Sequence, residues 1–126
     1  MKFTNSMRTS LFSLLGALLI SFSSFAQAPE KMSYQAVIRD ADNTLVTNQE
    51  IGMQISVLQN GTAVYEETQT PTSNTNGLVS LEIGTGTVIS GSFASIDWSV
   101  NPSFIKIETD PTGGTNYTIT STSQLL

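Results

Sequence analysis

Cysteine and histidine are both missing from the 126-residue sequence, and that removes the chemistry of thiol and imidazole at once. Without cysteine no disulfide can hold the chain, so its stability has to come from packing and strand pairing. Ser–His and Cys–His nucleophiles are excluded outright. A zinc site would have to be all oxygen, which structural zinc rarely is. Charge is sparse as well: 5 basic residues stand against 10 acidic ones, a net charge of −5. Nucleic acid and anionic lipid both need a basic patch, so neither is an expected partner.

Long apolar runs are equally scarce, and the one that stands out is at the start. Lys2 and Arg8 precede Leu11–Ile20, ten residues of mainly apolar character, and Ser24-Phe25-Ala26 then places small residues where a signal peptidase reads. Residues 1–26 have this three-part form of a cleavable signal peptide, with cutting before Gln27. Cutting after Ala28 also fits, but would leave Pro29 just past the cut. A retained membrane anchor is the competing reading, and the apolar stretch is too short for it. A lipid anchor on cysteine has no cysteine to use. The mature chain, residues 27–126, keeps three basic groups against 10 acidic, a charge of −7. It has the length of one domain with one core, and no second membrane span is expected.

What is present is alternation. Tyr34, Ala36 and Ile38 share one face of a first strand, and Ala41-Asp42-Asn43 has turn chemistry, because Asx residues tolerate left-handed backbone. Thr44–Thr47 reads as a short strand. Ile51, Met53, Ile55 and Val57 line one face of the longest strand, opposite Gln54 and Ser56. Asn60-Gly61 calls for a two-residue type I′ hairpin into Thr62–Thr68. Pro71–Gly77 is a polar loop, followed by a strand with Val79, Leu81 and Ile83 inward. From Val88 to Val100 the pattern blurs, and one helical turn capped by Ser92 is expected. Phe104–Thr109 and Tyr117–Thr120 complete the series, with Asp110–Thr115 turning between them. About seven short strands at this spacing predict an all-β fold, an antiparallel β-sandwich. Ser123–Leu126 reads as the opening of a last strand that is incomplete.

Two resemblances follow from particular residues. Tyr34-Gln-Ala-Val-Ile-Arg-Asp-Ala-Asp-Asn43, answered later by Asn76-Gly-Leu-Val-Ser-Leu-Glu-Ile-Gly84, resembles the transthyretin-like or carboxypeptidase-regulatory sandwich. Met32-Ser-Tyr-Gln-Ala-Val-Ile-Arg39, Ile96-Asp-Trp98, Phe104-Ile-Lys106, Asp110-Pro-Thr-Gly-Gly-Thr-Asn-Tyr117 and the closing Thr122–Leu126 are similar to an N-terminal module of secreted Bacteroidota proteins. That resemblance implies an extracellular or cell-surface location and no catalytic residue.

Candidate chemistry thins out when spacing is set against context. Ser103 and Lys106 have Ser-x-x-Lys spacing, but on a strand positions three apart face opposite sides. Gly84-Thr-Gly86 with Gly91 lacks the third glycine and the long helix of a dinucleotide site, and reads as turn glycines. Asp40 and Asp42 offer oxygens for a weak Ca²⁺ site, yet no EF-hand glycine or distal glutamate follows, and a hairpin turn uses the same residues. Glu66 and Glu67 fit a charged edge strand better than a catalytic pair. Lys31 and Asn116 raise an intramolecular isopeptide bond, with no acid clearly placed to promote it. Trp98, the sole tryptophan, either closes one end of the core or contacts a ligand.

The sequence therefore points to a non-catalytic structural module of an exported protein, with no cofactor and no metal. It would present downstream domains or touch other surface proteins along an exposed strand edge. The alternative is a carbohydrate- or ligand-binding domain using loops around Trp98, Pro71–Gly77 and Asp110–Thr115.

Overall fold

The computed structural model describes residues 30–125. The leader and Leu126 lie outside the described residues. Ser123–Leu125 do not open a separate last strand: they end the strand that runs from Ile119 to Leu125, which starts two residues later than Tyr117 and takes them in.

The fold is all β. β1 (Met32–Val37), β2 (Gly52–Gln59), β3 (Thr62–Gln69), β4 (Leu78–Ile83), β5 (Thr87–Ser90), β6 (Ser103–Asp110) and β7 (Ile119–Leu125) make two antiparallel sheets. One has five strands in the order β5-β3-β2-β6-β7, and the other pairs β1 with β4. β1, β2, β3, β4 and β6 form where the alternation predicts them, because each half-buried strand must turn its apolar set toward the other sheet. Met53, Ile55, Val57, Tyr65, Ile105 and Ile107 supply the core from the large sheet, and Val79, Leu81 and Ile83 from the small one.

β2 and β3 are joined by the Asn60-Gly61 turn, with φ of 54° and 75° at the two positions. Positive φ at both is what a type I′ hairpin requires. Pro71 marks the point where the chain leaves the large sheet: its carbonyl accepts the Ile51 N–H at 2.8 Å, and β4 then joins β1.

Four local expectations are corrected. Thr44–Thr47 is not a strand but a turn return, touching the first segment through a single Arg39–Leu45 bridge. Asn48, with φ of 51°, bends the chain away before pairing can continue. Val88 falls in β5, a four-residue strand hidden from sequence because its pattern has no buried position. The expected helical turn is a 3-10 turn over Phe93–Ser95, and Ser92 makes no side-chain cap. Burial of Phe93 holds it instead. Finally, β3 is not an edge strand. β5 covers it, and Glu67 points inward with none of its surface exposed.

Candidate functional site

Gln59 and Ser103 are paired across β2 and β6, at the end of the sheet where Trp98 sits. The Gln59 amide donates to the Asp97 carbonyl at 2.9 Å and to Ser103 Oγ at 3.1 Å. Ser103 Oγ donates on to the Val100 carbonyl at 2.9 Å. This polar tether fastens the 96–102 segment to the sheet, and the segment continues through a cis Asn101–Pro102 peptide. Asp97 accepts the Ser99 hydroxyl and the Ser99 N–H, which together hold its carboxyl below the ordinary value of 3.8.

Trp98 is half-buried and packs edge-to-face on Phe93, with ring centroids 5.6 Å apart. Phe93 packs in turn on Tyr65 at 5.3 Å and 71°. Both contacts have the T-shaped geometry that aromatic quadrupoles favour. An open cavity of about 330 Å³ lies against this stack, lined by Trp98, Phe93, Met32, Leu125, Lys31 and Ser103 among others. Trp98 thus closes the end of the core and faces a cavity at once.

The other proposed loops are elsewhere. β2 begins at Gly52, opposite Asp110, and ends at Gln59, opposite Ser103. Pro71 bonds to Ile51 and the Pro111 carbonyl accepts the Gln49 amide, so Pro71–Gly77 and Asp110–Thr115 gather at the start of β2. Trp98 stands at its far end, about 20 Å away at the rise of an extended strand. The structure brings two of the three loops together and leaves Trp98 apart.

Deeper in, the Gly84-Thr-Gly86 turn does hold an anion, and the anion is the chain's own. Glu67 Oε1 accepts the Gly84 N–H at 2.5 Å, and Oε2 accepts the Gly86 N–H at 2.6 Å and the Gln69 amide at 2.8 Å. Alternate backbone N–H groups of this turn cradle the carboxylate, while the Thr85 N–H between them donates to the Glu82 carbonyl at 3.3 Å. Tyr65 lies on the same inward face, its hydroxyl buried without a hydrogen-bond partner. Burial raises the Tyr65 phenol above its ordinary value of 10.0. The Glu67 charge raises it further, although the carboxylate accepts no bond from it in good geometry. This cradle was not legible in sequence, since it joins residues 17 and 19 positions apart.

The remaining candidates resolve into turns and pairs. Asp40 Oδ1 accepts the Asp42 and Thr44 N–H groups at 2.9 and 3.0 Å, so this carboxylate holds its own hairpin turn. Among the described residues, no three His, Cys, Asp or Glu side chains gather where they could share a metal ion. Ser103 is buried, whereas Lys106 lies on the other face beside Glu108 at 3.5 Å. Lys31 pairs with Glu82 at 2.9 Å near the Trp98 end, while the Asn116 N–H donates to Asp110 at the opposite end. Among the described residues no helix is long and apolar enough to cross a membrane.

No curated protein and no solved structure matches this chain. Residues 33–122 match the model of a family described as Domain of unknown function (DUF8740), so almost the whole of the double sheet lies within the matched span, and the chain belongs to that family.

Proposed function

We propose that this domain is a non-catalytic structural module of an exported protein, displayed outside the cell, where it spaces or presents the domains attached to it. One observation carries the reading. The two buried carboxylates, Glu67 and Asp110, both have their oxygens filled by groups of the chain itself. Groups of that kind rigidify a scaffold, and a reactive carboxylate would instead face a substrate cleft. Deleting residues 30–125 from the gene should leave attached domains folded but no longer reachable by antibody on intact cells. Turnover of any substrate by the purified domain refutes the reading.

A second reading rests on the cavity beside Trp98. An indole edge at an apolar hollow, rimmed by Lys31, Asn101 and Ser103, suits the mixed polar and apolar faces of a sugar. A glycan array comparing wild type with Trp98→Ala tests it. Binding lost in a variant whose circular dichroism is unchanged supports it, and equal signals from both proteins dismiss it.

A further inference from the structure

β7 is the longest open strand edge in the described residues, seven residues paired only with β6. Natural sheets blunt such edges with charge, proline, bulges or shortness. The other open strands do so here. β5 has four residues and a register break against β3. β4 carries Glu82, and β1 is flanked by Lys31 and by the Arg39–Leu45 bridge. β7, Ile119-Thr-Ser-Thr-Ser-Gln-Leu125, has no charge and no proline, and its register against β6 is unbroken from Thr109–Ile119 to Ser103–Leu125.

The same seven residues are self-complementary. Laid antiparallel against a copy of itself about Thr122, the strand sets Ile119 opposite Leu125 and Ser121 opposite Ser123 on the inner face. On the outer face Thr120 meets Gln124 and Thr122 meets itself. Every pair joins residues of one class, and moving the centre to Ser121 or Ser123 sets Ile or Leu against Ser. Ile119, with 37% of its surface exposed, would be covered in this way. Its opposite number, Leu125, lines the mouth of the Trp98 cavity, so Ile119 of the second copy would extend that apolar wall. Charge favours this edge too. Residues 30–125 hold 10 acidic groups against three basic, and β7 holds none of them. Two copies of like charge therefore set no charged residue of one β7 against another along this edge.

We propose that β7 is a homodimer interface, pairing antiparallel across a two-fold axis at Thr122 to make one continuous ten-stranded sheet. The contact is smaller than a standard interface, so the dimer is concentration-dependent. Sedimentation velocity on the purified protein from about 1 µM to about 1 mM reads it, a range suited to small interfaces.

Two double variants fix the register. Thr120→Lys with Gln124→Lys puts like charges opposite each other twice, and weakens the dimer about tenfold. Thr120→Lys with Gln124→Glu makes both pairs attractive, and restores association to at least the wild-type level. Within one strand these two positions are too far apart to touch, and the pairing of the Thr120→Lys side chain with Glu108 on β6 is common to both variants. Circular dichroism therefore shows both folded, and the difference between them reads the contact between copies. A wild type that remains monomeric throughout, or a Lys/Glu variant as weak as the Lys/Lys one, overturns the proposal. Equal dimerisation of all three proteins also overturns it, by placing the contact elsewhere. The presentation reading is touched by none of these outcomes.

Discussion

Glu67 Oε2 and the Gly86 N–H lie 2.6 Å apart, and a Cβ at Gly86 would stand 2.1 Å from that same oxygen. The cradle therefore depends on glycine for space: it would also bring the Cβ within 2.5 Å of the Thr68 carbonyl. Gly86→Ala should cost about 1–3 kcal/mol in urea unfolding, the range of overpacking. Glu67→Ala should cost about 2–4 kcal/mol, since it leaves a cavity and strands donors that lose their acceptor.

Tyr65→Phe is expected to behave in the opposite way. The phenol is fully buried and its oxygen has no partner, so removing it abolishes a desolvation cost and breaks no bond. Stability should hold within about 1 kcal/mol of wild type or rise slightly. A loss well beyond that would show that the hydroxyl is bonded in solution.

Asp110 gives the acid limb of stability. Its carboxylate accepts the Thr112 hydroxyl at 2.6 Å and the Thr112 and Asn116 N–H groups at 2.9 and 3.0 Å. The Thr112 hydroxyl is the largest cause of a folded pKa below the ordinary 3.8. With the folded value depressed, the unfolded chain takes up the proton first as pH falls. The contribution is therefore complete above pH 3.8 and is lost as pH drops through the lower folded value. Melting of Asp110→Asn against wild type across pH 2 to 7 checks this: the variant melts lower at neutral pH, and the gap closes in acid.

Gly61→Ala isolates backbone strain from packing. Gly61 has φ of +75°, and an added Cβ meets nothing within 4 Å. The loss should be about 1 kcal/mol, the cost of left-handed backbone for a residue with a Cβ. An unchanged melting curve would mean that the hairpin re-forms with another turn.

Trp98 shows how a residue can be legible without its site being so. Its role as a core-closing aromatic beside Phe93 follows from spacing, because both fall in the one segment with no strand alternation. Its distance from Pro71–Gly77 and Asp110–Thr115 does not. Which end of an eight-residue strand a loop returns to depends on pairing register, and that is set by contacts remote in sequence.

The amino-acid order by itself settled the all-β class, the inward faces of β2, β4 and β6, and the Asn60-Gly61 hairpin. Period-two burial and positive-φ turn residues are local properties, read within a few positions. Tertiary structure alone decided that β3 is covered by β5, that Glu67 enters the core, and that Gly84 and Gly86 receive it. An alternating pattern states which residues face together, but not which strands become neighbours. A glutamate can be buried there only because a turn from another part of the chain brings its N–H groups to both carboxylate oxygens.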